Sequence, residues 1–243
     1  KSFPLLLKII SAKEKLSVQV HPNDEYSKLY EGTLGKTEAW IILDCREGAE
    51  LIFGIQEGVS KEELKKACEN GREIEKFLKR VKVQPGDAFF IEAGTVHAIG
   101  EDIVLYEIQQ SSDVTYRFYD WDRLDKLGNR RELHIEKAID VTRLDIKGEK
   151  QTPRLLLESE KGRLFSIFDC DFFSTQKIEA ANGFALSTEG SDFGVLTSVS
   201  KGKILFGEEE IDLEPLTSVF LPKNGYDMEL YGESFYISKP KHP

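Results

Sequence analysis

Short apolar runs of strand character, set between turn residues, recur along nearly all of this 243-residue chain. They fall at 4–10, 16–21, 38–43, 50–53, 87–91, 103–109 and 114–118, and again at 164–168, 194–199, 203–206, 211–213, 217–221 and 229–237. Strands this short cannot bury a core alone, so their regular spacing predicts sandwich or barrel sheets and a mainly β fold. Helical patterning is confined to a few places. Residues 60–81 open with Ser60 and Glu63 at capping-box spacing, and Gly71 is expected to break them into two short helices. Residues 130–141 read as another helix, and a brief one is expected to start at Asn23 or Asp24.

The charged stretch 146–154 contains Pro153 and marks a boundary, which gives domains at 1–148 and 149–243 with the helical insertion in the first. An internal repeat relates the two. "VQPGDAFFIEAGTVH" (83–97) aligns without gaps on "LEPLTSVFLPKNGYD" (213–227). Pro85 meets Pro215, Phe90 meets Phe220, Ile91 meets Leu221 and His97 meets Asp227. The second copy is therefore expected to keep the strand and lose the histidine.

The net charge of −10 argues against general nucleic-acid or anionic-membrane binding, since neither polyanion is attracted. Any phosphate site then needs its own Lys and Arg residues. No apolar run reaches membrane-spanning length. "FPLLLKII" (3–10) is broken by Lys8 and reads as a buried strand rather than a signal peptide. Cys45, Cys68 and Cys170 are odd in number and far apart, which fits reduced thiols in a cytoplasmic protein.

Three stretches carry candidate chemistry. In "LSVQVHP" (16–22), alternation sends Ser17, Gln19 and His21 to one face, and Pro22 keeps His21 extended. In "GKTEAWIILD" (35–44), Lys36 and Glu38 share a side, as a surface ion pair or as site residues. In "VQPGDAFFIEAGTVHAIG" (83–100), glycine-marked turns precede His97 and set it at the mouth of a small barrel. Gln19, His21, Glu38 and His97 together form a mixed nitrogen and oxygen donor set without sulfur. That set suits Zn²⁺, with Mn²⁺, Fe²⁺ or Co²⁺ as alternatives, and it leaves open positions as catalytic sites do. His134 and His242 are expected to serve in helix packing or at the surface. A fourth stretch, "LYEIQQSSDVTYRFYDWDR" (105–123), interleaves Glu107, Asp113, Arg117 and Arg123 with aromatics. It reads either as a hairpin with cross-strand ion pairs or as a wall of the site, where arginine holds a phosphate and a carboxylate moves protons.

These stretches, with "PLLLK" ahead of them and "RELHIEKAIDV" after them, resemble the type I phosphomannose isomerases of the cupin superfamily. The resemblance spans residues 3 to about 141 in the expected order. It implies a cupin β-barrel (jelly roll) followed by a degenerate cupin-like β domain. It implies one Zn²⁺ per chain held by Gln19, His21, Glu38 and His97. It places Lys8, Ser17, Lys36, Glu107, Asp113, Arg117 and Arg123 along the sugar phosphate site. The activity implied is interconversion of mannose 6-phosphate and fructose 6-phosphate through an enediol. Lys36 and Arg117 would support negative charge, and Glu107 or His21 would carry the proton. The expected partner is a small sugar phosphate, with no nucleic acid or membrane, in a cytoplasmic monomer or homodimer. The alternative is a non-catalytic metal-containing cupin that senses a sugar phosphate. The chain departs from the family in two ways. Gly35 stands where longer relatives have histidine, and family members carry a further segment ahead of "PLLLK", so this is expected to be either a short form or a chain without its natural beginning.

Overall fold

In the computed structural model, which describes residues 3–188, 193–223 and 225–241, the chain divides into two compact units. The first spans Leu6–Lys150 and the second runs from Gln151 onward, with residues 3–5. His242 lies outside the described residues.

Two sheets make the first unit. One orders β1 (Leu5–Ala12), β8 (Ile103–Gln110), β3 (Glu38–Cys45) and β6 (Ala88–Ile91), with β10 (Lys150–Gln151) at its far edge. The other orders β5 (Leu78–Lys82), β4 (Glu50–Ile55), β7 (His97–Ala98), β2 (Val18–Val20) and β9 (Tyr116–Tyr119). Trp40, Ile42, Phe89 and Leu105 of the first sheet meet Leu51 and Phe53 of the second in one buried cluster. The alternation in β2 explains how the second sheet is used on both faces. Val18 and Val20 pack outward against Leu64, Ala67 and Ile74 of the helical insertion and Ala138 of a later helix. Gln19 is thereby left facing the interior between the sheets.

Three helices flank the second sheet. α1 (Asp24–Tyr30) is capped by Asn23, whose side chain accepts the Tyr26 N–H. α2 (Lys61–Glu69) starts with the expected capping box between Ser60 and Glu63. A 3₁₀ turn (Gly71–Lys76) follows, but residues 78–82 then pair with β4 as a strand, so the helical insertion ends earlier than its apolar pattern suggests. α3 (Ile135–Val141) is likewise shorter than the predicted 130–141. The His134 N–H donates to the Arg117 carbonyl at 2.8 Å and the Arg117 N–H to His134 Nδ1 at 3.2 Å, which ties His134 to β9 just ahead of the helix. No helix among the described residues is long and apolar enough to cross a membrane.

The second unit is one large antiparallel sheet: β11 (Arg154–Ser159), β12 (Gly162–Asp169), β13 (Phe173–Ser187), β18 (Asp227–Pro240), β14 (Gly194–Ser198) and β17 (Ser218–Leu221), with the hairpin of β15 (Gly202–Phe206) and β16 (Glu209–Leu213) beside β18. The 130-residue offset of the sequence repeat recurs in the backbone. The Asp87 N–H donates to the Gln84 carbonyl and the Thr217 N–H to that of Glu214, each at 3.1 Å. β6 and β17 then occupy 88–91 and 218–221. Their partners β3 and β14 also correspond: Glu38 pairs with Ile91 as Gly194 pairs with Leu221. The second unit thus carries Gly194 in the place of Glu38, and Asp227 in the aligned place of His97.

Candidate metal centre and active site

Each strand brings one element of the centre. Gln19 pairs with His97 on one side and Arg117 on the other, and His97 also faces Phe53. His21 follows β2 directly, and its carbonyl accepts the Gly94 N–H at 2.8 Å, which ties the approach of one histidine to the other. Glu38 enters from the opposite sheet at the start of β3. Lys36 arrives because the loop before β3 presses on the start of α1: the Lys36 N–H donates to the Pro22 carbonyl at 3.0 Å. A Cβ on Gly35 would lie 2.3 Å from the Asn23 carbonyl carbon and 2.4 Å from the Asp24 nitrogen, so this loop path admits only glycine.

His21, Glu38 and His97 converge with donor atoms all within 4.8 Å of one another. His21 Nε2 is 3.4 Å from Glu38 Oε2, and His97 Nε2 is 3.3 Å from Glu38 Oε1. Both Nδ1 atoms face main-chain carbonyls at 2.9 Å, Val114 for His21 and Thr95 for His97. A carbonyl is only an acceptor, so each ring carries its proton on Nδ1 and leaves an Nε2 lone pair at the centre; that of His21 accepts from the Lys36 ammonium at 3.0 Å. Burial, with the Lys36 ammonium adding to it, lowers the His21 pKa, and burial brings His97 down to about 3. Both rings are therefore neutral, the ligand form. Burial, the largest single influence, would push the Glu38 carboxyl up, but the Lys36 ammonium, 2.8 Å from Oε2, and the two histidine rings together outweigh it and hold the group well below its ordinary value.

Both Glu38 oxygens are buried and accept no well-formed hydrogen bond, Lys36 being an ion-pair partner by distance only. An ionised carboxylate left this way is costly unless a cation takes up its lone pairs. Two lone-pair nitrogens and a carboxylate around one point fit a divalent metal. Gln19 lies at the same point, with its amide 3.3 Å from His97 Nε2 and its other end 3.4 Å from the Ser17 hydroxyl. An amide presents oxygen or nitrogen to one place by a half-turn about its last bond. The Lys36–Glu38 pair, open at the sequence level to a surface reading, is buried, with side-chain exposures of 8% and 0%.

Beside the centre, Lys8 Nζ donates to Glu107 Oε2 at 2.6 Å and to the Gln109 side-chain oxygen. Burial, and then the Glu38 charge, raise the Glu107 pKa, while Lys36 and Lys8 draw it back. The remaining residues of the 105–123 stretch disperse. β8 and β9 lie in different sheets, so the stretch is not a hairpin. Arg117 stands next to Gln19; its Nη1 donates to the Glu132 carbonyl at 2.8 Å, and its buried Nε has no partner. Asp113 is exposed, and its carboxylate makes no hydrogen bond or ion pair with the described residues. Arg123 donates to the Lys15 carbonyl at 2.7 Å and also to the Asp120 carboxylate. With the Trp121 indole on the Leu16 carbonyl at 2.7 Å, it clamps the chain leading into β2. Sequence reasoning missed Trp40 and Gln109, since an apolar-looking strand and a polar β residue gave no separate signal.

Comparison with known proteins accords with this geometry. The description of the type I phosphomannose isomerase catalytic domain matches residues 1–42. The mannose-6-phosphate isomerase ManA of Bacillus subtilis is 40% identical over 231 residues, which cover 95% of this chain and 72% of that protein. A mannose-6-phosphate isomerase of Streptococcus mutans is 40% identical over 221 residues, covering 90% and 68%. The crystal structure of a Bacillus subtilis mannose 6-phosphate isomerase superposes with a TM-score of 0.88 at 32% identity, over 97% of this chain and 75% of that one. Identity at this level over nearly the whole chain shows that the protein belongs to the type I phosphomannose isomerase family, on the cupin fold.

Proposed function

We propose that this chain interconverts mannose 6-phosphate and fructose 6-phosphate at the buried His21–Glu38–His97 centre, with one Zn²⁺ held by those residues and Gln19. The single observation that carries the reading is the buried Glu38 carboxylate, unpartnered by hydrogen bonds, facing two neutral histidine nitrogens. The mixed imidazole and oxygen donor set suits zinc, with Mn²⁺, Fe²⁺ or Co²⁺ as alternatives. When bound, such an ion supplies Lewis-acid polarisation of the sugar's O1 and O2. The chain's own groups do the rest. Lys36 stands against Glu38 and offsets negative charge that develops on the sugar oxygens, with Arg117 next to Gln19 in the same role. Glu107 is the proton carrier. It takes the proton from C2 of the open-chain aldose and returns it to C1, while the O2 hydroxyl proton passes to O1. Burial suits Glu107 to this work by bringing its pKa up toward that of a working base. Lys8, with 37% of its side chain exposed, takes the phosphate, and the Ser17 hydroxyl supports it. Arg123 acts as a strut rather than a phosphate ligand, because its donors are committed to Lys15 and Asp120. A cytoplasmic setting belongs to the same reading, in line with three free cysteines.

The test is chelation, assay and reconstitution. Activity should vanish with the metal and return with Zn²⁺; turnover by metal-free protein sinks the reading. Binding of mannose 6-phosphate without turnover by the zinc-loaded chain would favour the sensor alternative. Arg117→Ala should cost about 10²-fold in kcat.

A further inference from the structure

We propose that Trp40 is a positioning residue of this site: its indole N–H holds one oxygen of Glu107, so that proton exchange with the sugar runs through the other. The proposal rests on the isomerase reading above. Trp40 is 0% exposed and stands directly opposite Glu107 in the β3–β8 ladder. Its Nε1–H donates to Glu107 Oε1 at 3.0 Å. An indole nitrogen is a donor only, so Oε1 is held as an acceptor by a buried, immobile group, which disfavours it as the oxygen that carries a carboxylic proton. Proton traffic is left to Oε2, the oxygen covered by Lys8 at 2.6 Å.

The cover on Oε2 is itself fixed. Both amide hydrogens of Gln109 are taken, by the carbonyls of Gln110 at 2.8 Å and Ser112 at 2.7 Å, so its oxygen must face Lys8. Lys8 has three N–H bonds, and these two acceptors use two. The third is available to an incoming anion at the more exposed end of the pair. A phosphate drawing on Lys8 would weaken its hold on Oε2, the one oxygen that Trp40 leaves free. The Trp40 ring also meets the ring of His97 edge-on, with centroids 5.2 Å apart and an interplanar angle of 79°. One rigid side chain thereby sets the spacing between the metal ligand and the proton carrier. A buried indole needs an acceptor in any protein, but a main-chain carbonyl serves that need without the desolvation cost of a buried carboxylate.

Trp40→Phe keeps the aromatic packing and deletes the N–H. The zinc-loaded variant is expected to lose about 10²-fold in kcat while KM for mannose 6-phosphate stays within about 2-fold, because Lys8 and the metal ligands are untouched. Unchanged kcat, or a loss confined to KM, overturns the proposal. The chain has two tryptophans, so a Trp121→Phe protein isolates the fluorescence of Trp40 and guards against misfolding of the first variant. Its emission should shift on adding mannose 6-phosphate and saturate with turnover; an emission indifferent to saturating substrate overturns the proposal. Failure of the wild-type protein to interconvert the sugars would instead overturn the isomerase reading itself.

Discussion

At the residue scale, the centre is built from charge that the fold has taken out of water. Glu38 is fully buried yet ionised, because the Lys36 ammonium and the two histidines together outweigh its burial. His21 and His97 are buried and neutral. Their values fall below the ordinary 6.5, His97 to about 3, so the unfolded chain binds protons that the native chain refuses. The sign follows from that difference. Metal-free protein keeps the full contribution above pH 6.5 and loses it progressively as the pH falls toward 3. Glu38 adds little in that window: its contribution is present above 4.5 and is lost only at lower pH. Chelated protein should therefore lose ~2 kcal/mol of unfolding free energy between pH 7 and pH 5, read from urea midpoints. Equal midpoints would show that the histidines are not buried neutral. The metal-site residues were legible because period-2 alternation and a following proline mark Gln19 and His21. Trp40 was not, since its indole N–H acquires a role only when β8 is laid beside β3.

At the element scale, the repeat of 83–97 in 213–227 shows how little sequence a conserved turn needs. Gly86 has φ +91° and Leu216, in the matching place, φ +64°. Glycine adopts that region freely, whereas a leucine is strained there. Leu216→Gly should stabilise the protein by about 1 kcal/mol despite the loss of a half-exposed side chain, measured as a shift in denaturant midpoint at constant slope. A destabilised variant would mean that the leucine's packing outweighs the backbone. The element missed in sequence is equally informative. β13 runs through Asn182-Gly183, a pair that normally signals a hairpin turn. Here Gly183, at φ +81°, sits in a register shift between Ala180 and Phe184, so the pair makes a bulge and the strand continues.

At the scale of the whole molecule, the candidate metal ligands among the described residues lie in the unit of residues 6–150, while Gly194 and Asp227 stand in the corresponding places of the other. Ligand binding stabilises the state that holds the ligand. Zinc should therefore slow hydrogen exchange of amides in β2, β3 and β7, and leave those of β13 and β18 unchanged. Equal slowing in both units would show that they unfold as one cooperative body. Strand periodicity, the Ser60 capping box, the histidines and carboxylates of the centre and the two-part repeat were written locally, in spacings of two to four residues and in one fixed offset, so the sequence alone determined them. Which residues meet was settled by pairings between distant strands. Tertiary structure buried Lys36 with Glu38, separated β8 from β9 into different sheets, turned Arg123 into a strut on Lys15 and set Trp40 against Glu107. Long-range register and desolvation decide such contacts, and neither has a local signature in the chain.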